Sequence, residues 1–381
     1  MPNLHDYILW RGDLSFEQDP LNEVDMLLLS QLSYVAFGPF VPGPTLFPQY
    51  VTLQAAAQRL LEYDSEGTLI HQHAFMWKNI RKLLEMAAAS RRFGYIRLCA
   101  YVDELSDESQ FAALCMDIGD DVKAVAFRGT DDSIAGWKED LLMVLDDPIP
   151  AQKRAAEYLR QLMDEIQSDV VLTGHSKGGN LAVFAAVHLP PDKRARIRMI
   201  ANLDGPGFSR SLQGEAGYED VREKICVLLP ESSVVGRLLE QEADFRIVKA
   251  SALGILQHDA FTWQVQGPSL VRAERLTASS EYLSCVIRAW LDKLDTLQRK
   301  EFLEAVFAMF ADVEAKKISD APAALFAALP QIIRKMSTLD KEHKDAMITM
   351  VKTLGEAAIK GLRTRGQKEK NLPGDGTPSG D

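Results

Sequence analysis

Cysteine is scarce in this sequence, and its spacing excludes two classes of protein. The four cysteines, Cys99, Cys115, Cys226 and Cys285, lie far apart and form no C-x-x-C pair. A disulfide-stapled scaffold and a cysteine-bound metal site are therefore not expected. Because unpaired thiols are typical of a reducing compartment, we expect a cytoplasmic protein.

Long apolar runs are also missing. No segment approaches the roughly 18 consecutive apolar residues of a membrane-spanning helix, so no integral membrane segment is expected. Residues 1–13 mix Asp6, Arg11 and Asp13 with apolar side chains and lack the basic and apolar regions of a signal peptide. Export by such a peptide is therefore not expected.

Basic residues are outnumbered by acidic ones. The chain has 43 lysines and arginines against 54 aspartates and glutamates, a net charge of −11. An acidic surface repels phosphate backbones, so nucleic acid is not an expected partner. The sequence also contains no H-E-x-x-H, Walker A or G-x-G-x-x-G motif. We therefore expect neither a metal ion nor an organic cofactor.

The composition is that of a globular protein with a large core. Of the 381 residues, 46 % are hydrophobic, and short apolar segments alternate with helical patterns in the middle of the chain. This alternation predicts an α/β fold, with a mainly parallel sheet flanked by helices. The predicted strands cover residues 95–102, 111–118, 122–127, 170–173, 197–203, 224–229 and 245–249.

The chain divides into a main domain and a helical appendage. We place the main domain at residues 1–275, with residues 37–90 as a lid or cap, because they join a Pro- and Gly-rich loop to two helical patterns. Helical patterns without strands predict a C-terminal helical appendage at 280–365. The Gly-, Pro- and charge-rich residues 366–381 are expected to be a disordered tail.

A Gly-His-Ser-Lys-Gly pattern at residues 174–178 is the sharpest chemical signal. By itself G-x-S-x-G is weak evidence, but here an apolar run precedes it and an apolar helical pattern follows it. That context predicts a tight strand-to-helix turn that exposes the hydroxyl of Ser176 at the edge of the sheet. Ser176 is therefore the candidate nucleophile; the alternative is a glycine-rich connection without chemistry.

A nucleophilic serine needs a base and an acid that orients the base. Asp204 follows the predicted strand at 197–203, and His258 lies in a loop further along the chain. The order serine, aspartate, histidine is that of an α/β-hydrolase. Alternatively, Asp204 before Gly-Pro-Gly is only a turn former, and His258 is a polar loop residue. The other histidine after Asp204, His343, lies in a charged helix start and is the weaker candidate.

The same chemistry needs two donors for the oxyanion. The backbone N–H of Lys177, directly after Ser176, is the first candidate, and Thr130, after the predicted strand at 122–127, is the second. Thr130 is equally interpreted as an ordinary loop residue. Arg128 is interpreted as structural, with Asp140 as a partner suggested by charge alone.

The chain resembles the Mbeg-like family of unknown function, an α/β-hydrolase branch similar to the class 3 lipases. The resemblance covers roughly residues 1–270, and it rests on YILWRGDLSF, NEVDMLLLSQLSY, FRGTDDSIAGWKEDL, TGHSKGGNLA, NLDGPGF, LLPESSVVGRLLE and GILQHDAFTWQV. Class 3 lipases carry the acid after a later strand, where this sequence has Ser233. Pancreatic-type lipases carry it one strand earlier, which favours Asp204, with Glu231 as the reserve.

These observations predict a serine hydrolase that cleaves a lipid or small acyl ester through an acyl-enzyme on Ser176. Acyl transfer to an acceptor other than water uses the same residues and stays open. A hypothesis of another class is a catalytically silent hydrolase-fold scaffold. Its C-terminal helices would bind a protein partner or a second copy of the chain.

Overall fold

A computed structural model describes residues 1–64, 77–106, 109–119, 121–130, 139, 142–143, 148–208, 210–239, 243–282 and 284–285. The helices within these residues are α1 (Leu4–Arg11), α2 (Glu23–Leu32), α3 (Leu53–Tyr63), α4 (Trp77–Ala89), α5 (Arg91–Gly94), α6 (Pro150–Glu165), α7 (Lys177–Val187), α8 (Pro191–Ala195), α9 (Arg210–Gln213) and α10 (Ala216–Arg222). The strands are β1 (Val51–Thr52), β2 (Arg97–Leu105), β3 (Gln110–Gly119), β4 (Val122–Phe127), β5 (Asp169–His175), β6 (Ile197–Leu203), β7 (Ile225–Pro230), β8 (Phe245–Val248), β9 (Val265–Gln266) and β10 (Ser269–Leu270).

One eight-stranded sheet organises the chain, and its strand order follows the sequence from β1 to β8. Strands β1 to β4 pair antiparallel, whereas β4 to β8 pair parallel. Helix α6 joins β4 to β5, α7 and α8 join β5 to β6, and α9 and α10 join β6 to β7. The predicted α/β class, a mainly parallel sheet flanked by helices, is confirmed. Because parallel strands end at one edge, the residues after β4, β5, β6 and β7 are close together there.

Two apolar cores lie on the two faces of the sheet, because successive side chains of a strand point to opposite sides. In β3, Leu114 and Met116 pack with α1, α2, α3 and α4. Their neighbours Ala113 and Cys115 pack on the other face with α6, α7 and α10. Each fully buried aliphatic side chain stabilises the fold by about 1.5–3 kcal/mol.

Helix α2 is defined at its start by a capping box. The Asn22 side chain accepts from the backbone N–H groups of Val24 and Asp25, and Asp25 accepts from the Asn22 N–H in return. Asp25 is also paired with the buried guanidinium of Arg92, which fixes the helix against α5. Burial raises the pKa of Asp25, and hydrogen bonds from Arg92 oppose that rise. Tyr34 lies two residues after the end of α2, and its hydroxyl is 3.2 Å from His175 Nδ1 at the end of β5.

The amino-terminal residues contact the segment that follows β8. The backbone N–H of Val265 donates to Pro2 O over 3.1 Å. The Glu23 carboxylate accepts from the Leu270 N–H over 2.7 Å and pairs with Arg272. The first and last described parts of the chain are thus held together.

The predicted lid, helical appendage and tail differ in how much of each the structure describes. Helices α3 and α4, within the predicted lid at 37–90, bury Leu60 and Leu83 in the core of the α2 face, and the covering role of this segment stays a prediction. The helical appendage at 280–365, except for its first residues, and the tail at 366–381 lie outside the described residues. No helix in the described part of the chain is long and apolar enough to cross a membrane.

Candidate active site

Ser176 occupies the sharp turn between β5 and α7. Its backbone has φ 58° and ψ −133°, and a positive φ is uncommon for a residue with a side chain. Such a strained conformation persists only where the surrounding structure imposes it, and it occurs most often at functional sites. The strand-to-helix turn is the predicted one, but the expected exposure of Ser176 is not found, because the residue is only 8 % exposed.

Two glycines make this turn possible because helix α7 approaches the strands closely. A Cβ on Gly174 would lie 2.1 Å from Gly178 C, and a Cβ on Gly178 would lie 2.1 Å from Phe127 O. Neither distance is compatible with a side chain. The glycine spacing of the motif therefore reflects packing between β4, β5 and α7, and that packing fixes Ser176.

The three residues predicted as nucleophile, base and acid come together. The Ser176 hydroxyl lies 3.0 Å from His258 Nε2, and His258 Nδ1 lies 2.7 Å from Asp204 Oδ2. His258 ends a short 3₁₀ helix, Gly254–His258, and Asp204 directly follows β6. A continuous chain of hydrogen bonds therefore joins a serine hydroxyl to a buried carboxylate through an imidazole, an arrangement suited to nucleophilic chemistry.

Asp204, rather than Glu231, is the carboxylate that contacts His258. Its second oxygen, Oδ1, accepts from the Ser233 hydroxyl over 2.5 Å and from the Gly236 N–H over 3.2 Å. Asp204 is completely buried, and these donors compensate for the water that its carboxylate loses. Ser233, at the position where a class 3 lipase would carry its acid, thus supports Asp204. Glu231 uses its backbone to pair with Val248 and Thr277.

Of the two predicted oxyanion donors, Lys177 directly follows Ser176, and Thr130 follows Gly129, which packs on Ser176. Lys177 is the first residue of α7, where backbone N–H groups have no partner within the helix. On the other side, a Cβ on Gly129 would lie 3.1 Å from Ser176 Cβ and 2.5 Å from His175 O. The segment after β4, which continues to Thr130, therefore adjoins the serine. The oxyanion role of Lys177 and Thr130 stays a prediction.

The Lys177 side chain has a second role that the sequence did not indicate. Its Nζ donates to Glu139 Oε2 over 2.8 Å and to Gln110 O over 3.1 Å. Glu139 also accepts from the Ser109 hydroxyl and the Ala151 N–H. Both charged side chains are almost completely buried, at 1 % and 0 % exposed. Because the Ala151 N–H near the start of α6 donates to Glu139, this ion pair connects the start of α7 to the start of α6.

Arg128 forms an ion pair with Asp103, and the suggested pairing with Asp140 stays a prediction. Its guanidinium donates to both carboxylate oxygens of Asp103, over 3.0 and 2.6 Å. Asp103 is in β2, and so the pair ties the end of β4 across the sheet. Asp140 lies outside the described residues.

Two further residues, His175 and Tyr34, complete the surroundings of His258. His175 Nε2 lies 2.8 Å from the backbone oxygen of His258, and His175 Nδ1 lies 3.2 Å from Tyr34 Oη. Burial, and secondarily His258, lower the pKa of His175 well below 6.5. His175 belongs to the Gly-His-Ser-Lys-Gly motif, but the sequence pattern indicated no role for it. Among the described residues, no group of histidine, cysteine or acidic side chains has the arrangement of a metal site.

Comparisons with known proteins give both a family and structural similarities. The M37 lipase is 14 % identical, with 56 % of this chain and 68 % of that chain covered and a TM-score of 0.35. The Rhizomucor miehei lipase in its propeptide complex is 13 % identical, with 59 % of this chain and 67 % of that chain covered and a TM-score of 0.36. A search of curated proteins finds no match. A family model described as Mbeg1-like matches residues 87–308, a range that includes Ser176, Asp204 and His258.

Proposed function

The chain belongs to the Mbeg1-like family, and we propose that it is a serine hydrolase that cleaves a carboxylic ester. The observation that carries this proposal is the hydrogen-bonded chain from Ser176 through His258 to Asp204. A serine alone is a poor nucleophile near neutral pH, and an adjacent imidazole oriented by a carboxylate removes that obstacle.

The first chemical step is attack of Ser176 on the acyl carbon. The Oγ–C bond forms while the hydroxyl proton moves to His258 Nε2, and the carbonyl π electrons move to the oxygen. The tetrahedral intermediate collapses as the C–O bond to the leaving alcohol breaks, and His258 returns the proton to that alcohol oxygen. The product is an acyl-enzyme ester on Ser176.

The second step repeats this chemistry with water. His258 takes a proton from the water while its oxygen attacks the acyl carbon, and then protonates Ser176 Oγ as the ester bond breaks. A free acid and the original serine result. If an alcohol or amine takes the place of water, the same residues perform acyl transfer.

Asp204 and the oxyanion donors contribute in different ways. Asp204 accepts a hydrogen bond from the Nδ1–H of His258, which leaves Nε2 free to accept the serine proton, and its charge stabilises the imidazolium that forms. The Lys177 N–H and Thr130 would bind the negative oxygen of each tetrahedral intermediate. One such donor contributes about 10²–10³-fold to kcat in serine hydrolases.

The proposed substrate is a small-molecule or lipid ester. The predicted lid at 37–90 includes α3 and α4, whose apolar faces pack in the core, and a covering role for this segment would favour a hydrophobic acyl group. We also propose a cytoplasmic location, which the free state of the four cysteines supports.

Labelling with a fluorophosphonate tests the proposal, because this probe reacts with activated serines. We expect one covalent adduct per chain in the parent protein and none in Ser176→Ala, measured by intact mass. Ser251→Ala, which removes an exposed hydroxyl that donates to Thr262 O rather than to Ser176, Asp204 or His258, is the matched control and should be labelled like the parent.

A series of p-nitrophenyl esters, from acetate to palmitate, gives the acyl preference in the same preparations. Absence of an adduct in the folded parent, or an adduct that persists in Ser176→Ala, would overturn the hydrolase proposal. The first outcome would favour the scaffold hypothesis.

A further inference from the structure

His175 lies between the candidate nucleophile and the candidate base. It directly precedes Ser176 in the chain, and its ring packs on that of His258 with 4.6 Å between the ring centroids. The ring is buried, and each of its two nitrogens has a partner. A buried imidazole that is neither nucleophile nor base needs another explanation for its position.

The hydrogen bonds of His175 have a fixed direction. The backbone oxygen of His258 only accepts, so His175 Nε2 must carry the proton. Burial disfavours the charged form of the ring and lowers the pKa of His175, so Nδ1 is unprotonated. Nδ1 therefore accepts a hydrogen bond from the Tyr34 hydroxyl. Tyr34 therefore donates to His175, and His175 donates to His258.

The hydrogen bond from His175 reaches the His258 backbone at the end of the 3₁₀ helix. His258 ends a 3₁₀ helix, and its side chain is 27 % exposed, in contrast to the buried Asp204. Trp263 Nε1 holds the preceding residue by donating to Gln257 O over 2.8 Å. The His175 contact holds His258 itself, and it originates from the residue bonded to Ser176. The residue that holds the base therefore belongs to the same Gly-His-Ser-Lys-Gly motif as the nucleophile.

Tyr34 connects this contact to the other side of the site. A Cβ on Gly129 would lie 2.2 Å from Tyr34 Oη, so the hydroxyl packs directly on the segment that precedes Thr130. Tyr34 comes from the end of α2, whose core residues are completely buried. Tyr34 thus contacts both His175, which holds the base, and the segment that contains the predicted oxyanion donor.

We propose that Tyr34 and His175 are positioning residues, a hydrogen-bonded relay that holds the backbone of His258 so that its Nε2 faces Ser176. This inference rests on the proposed function of Ser176 and His258. Both side chains are buried, so we expect the relay to act on the rate of the chemical steps through the orientation of the base.

Kinetics of full-length variants with p-nitrophenyl acetate test the relay. His175→Leu removes both hydrogen bonds and should lower kcat about 10- to 100-fold, since small displacements of a catalytic group have effects of this size. KM should change less than about twofold, because the relay does not bind substrate. His175→Gln places an amide donor near the Nε2 position and should recover most of kcat. His188→Leu, a histidine substitution at the far end of α7, is the matched control.

Tyr34→Phe removes a single hydroxyl and keeps the ring. We expect a decrease of about 3- to 10-fold in kcat, which corresponds to the loss of one hydrogen bond. If His175→Leu does not fold, Tyr34→Phe still tests the relay. Circular dichroism and the thermal midpoint establish that each compared variant is folded.

Proton NMR supplies a readout that does not depend on turnover. The His258 Nδ1 proton, bonded to Asp204, should give a far-downfield signal that Asp204→Asn abolishes. We expect His175→Leu and Tyr34→Phe to shift this signal or to speed its exchange with water, and His175→Gln to restore it.

Unchanged kcat together with an unchanged signal in folded His175→Leu or Tyr34→Phe would overturn the relay. If the parent protein is neither labelled by fluorophosphonate nor active on any ester, the hydrolase proposal fails. The NMR comparison still decides, in that case, whether the relay positions His258.

Discussion

At the scale of single residues, the surroundings of Asp204 explain why this carboxylate, among several nearby, contacts the imidazole. Donors from Ser233 and Gly236 engage one oxygen, so the other faces His258. A carboxylate with two occupied oxygens has a single orientation. The side chain therefore selects one tautomer and one ring position of His258.

Asp204→Asn should keep the shape of the site and remove its charge. The amide would present a donor either to His258 or to Ser233, so the tautomer that accepts the serine proton is no longer favoured. We expect kcat for p-nitrophenyl acetate to fall about 10³–10⁴-fold, the size of effect this substitution has in known serine hydrolases. Glu231→Gln is the matched control and should retain kcat. The reverse pattern would assign the acid to Glu231.

The titration of His175 predicts how stability depends on pH. Burial lowers its pKa well below 6.5, so the folded protein excludes a proton that the unfolded chain binds. The contribution to the free energy of unfolding is complete above pH 6.5 and is lost as pH falls below it, by up to about 1.4 kcal/mol per pH unit. Urea denaturation at about pH 7.5 and 5.5 measures this loss.

His175→Gln isolates the contribution of this ring. His5, whose pKa burial also lowers, and Asp25, whose pKa burial raises, remain in both proteins. The variant should lose less stability than the parent between the two pH values. Equal losses would show that His175 is not the group that titrates.

At the scale of elements, the Lys177–Glu139 pair locks α7 to the start of α6. Lys177→Met should lower the free energy of unfolding by about 3–5 kcal/mol, because the Glu139 charge stays buried without its cation. Adding Glu139→Gln removes that charge, and the double variant should recover part of the loss. Urea denaturation of the two single variants and the double variant measures the coupling. Additive effects would contradict it.

Most elements of the described fold could be predicted from the sequence, because apolar periodicity decides strand and helix. The strand predicted at 197–203 is β6, and the strand predicted at 122–127 is β4. Several short elements were not predicted, β1 and α1 among them. Strand β1 has two residues, Val51 and Thr52, too few for any periodicity. Helix α1 depends on an Asn3–Asp6 capping box with a weakly apolar face.

The candidate site was predicted as far as chain order and local pattern allow. The Gly-His-Ser-Lys-Gly motif gave Ser176, and the residues after later strands gave Asp204 and His258. The choice between Asp204 and Glu231 depends on how two neighbouring loops turn, which a sequence does not encode locally. Tyr34 lies 141 residues from His175 in the chain, and Glu139 lies 38 residues from Lys177. Such contacts have no periodic signature.

At the scale of the whole molecule, the strand order from β1 to β8 has a consequence for synthesis on the ribosome. Each new strand pairs with the one translated before it, so the sheet can grow at one edge while translation proceeds. The imidazole of residue 258 and the Val265 partner of Pro2 emerge only after all eight strands. A nascent chain could thus contain an assembled sheet before its final third begins to appear, and the proposed site would be completed only then.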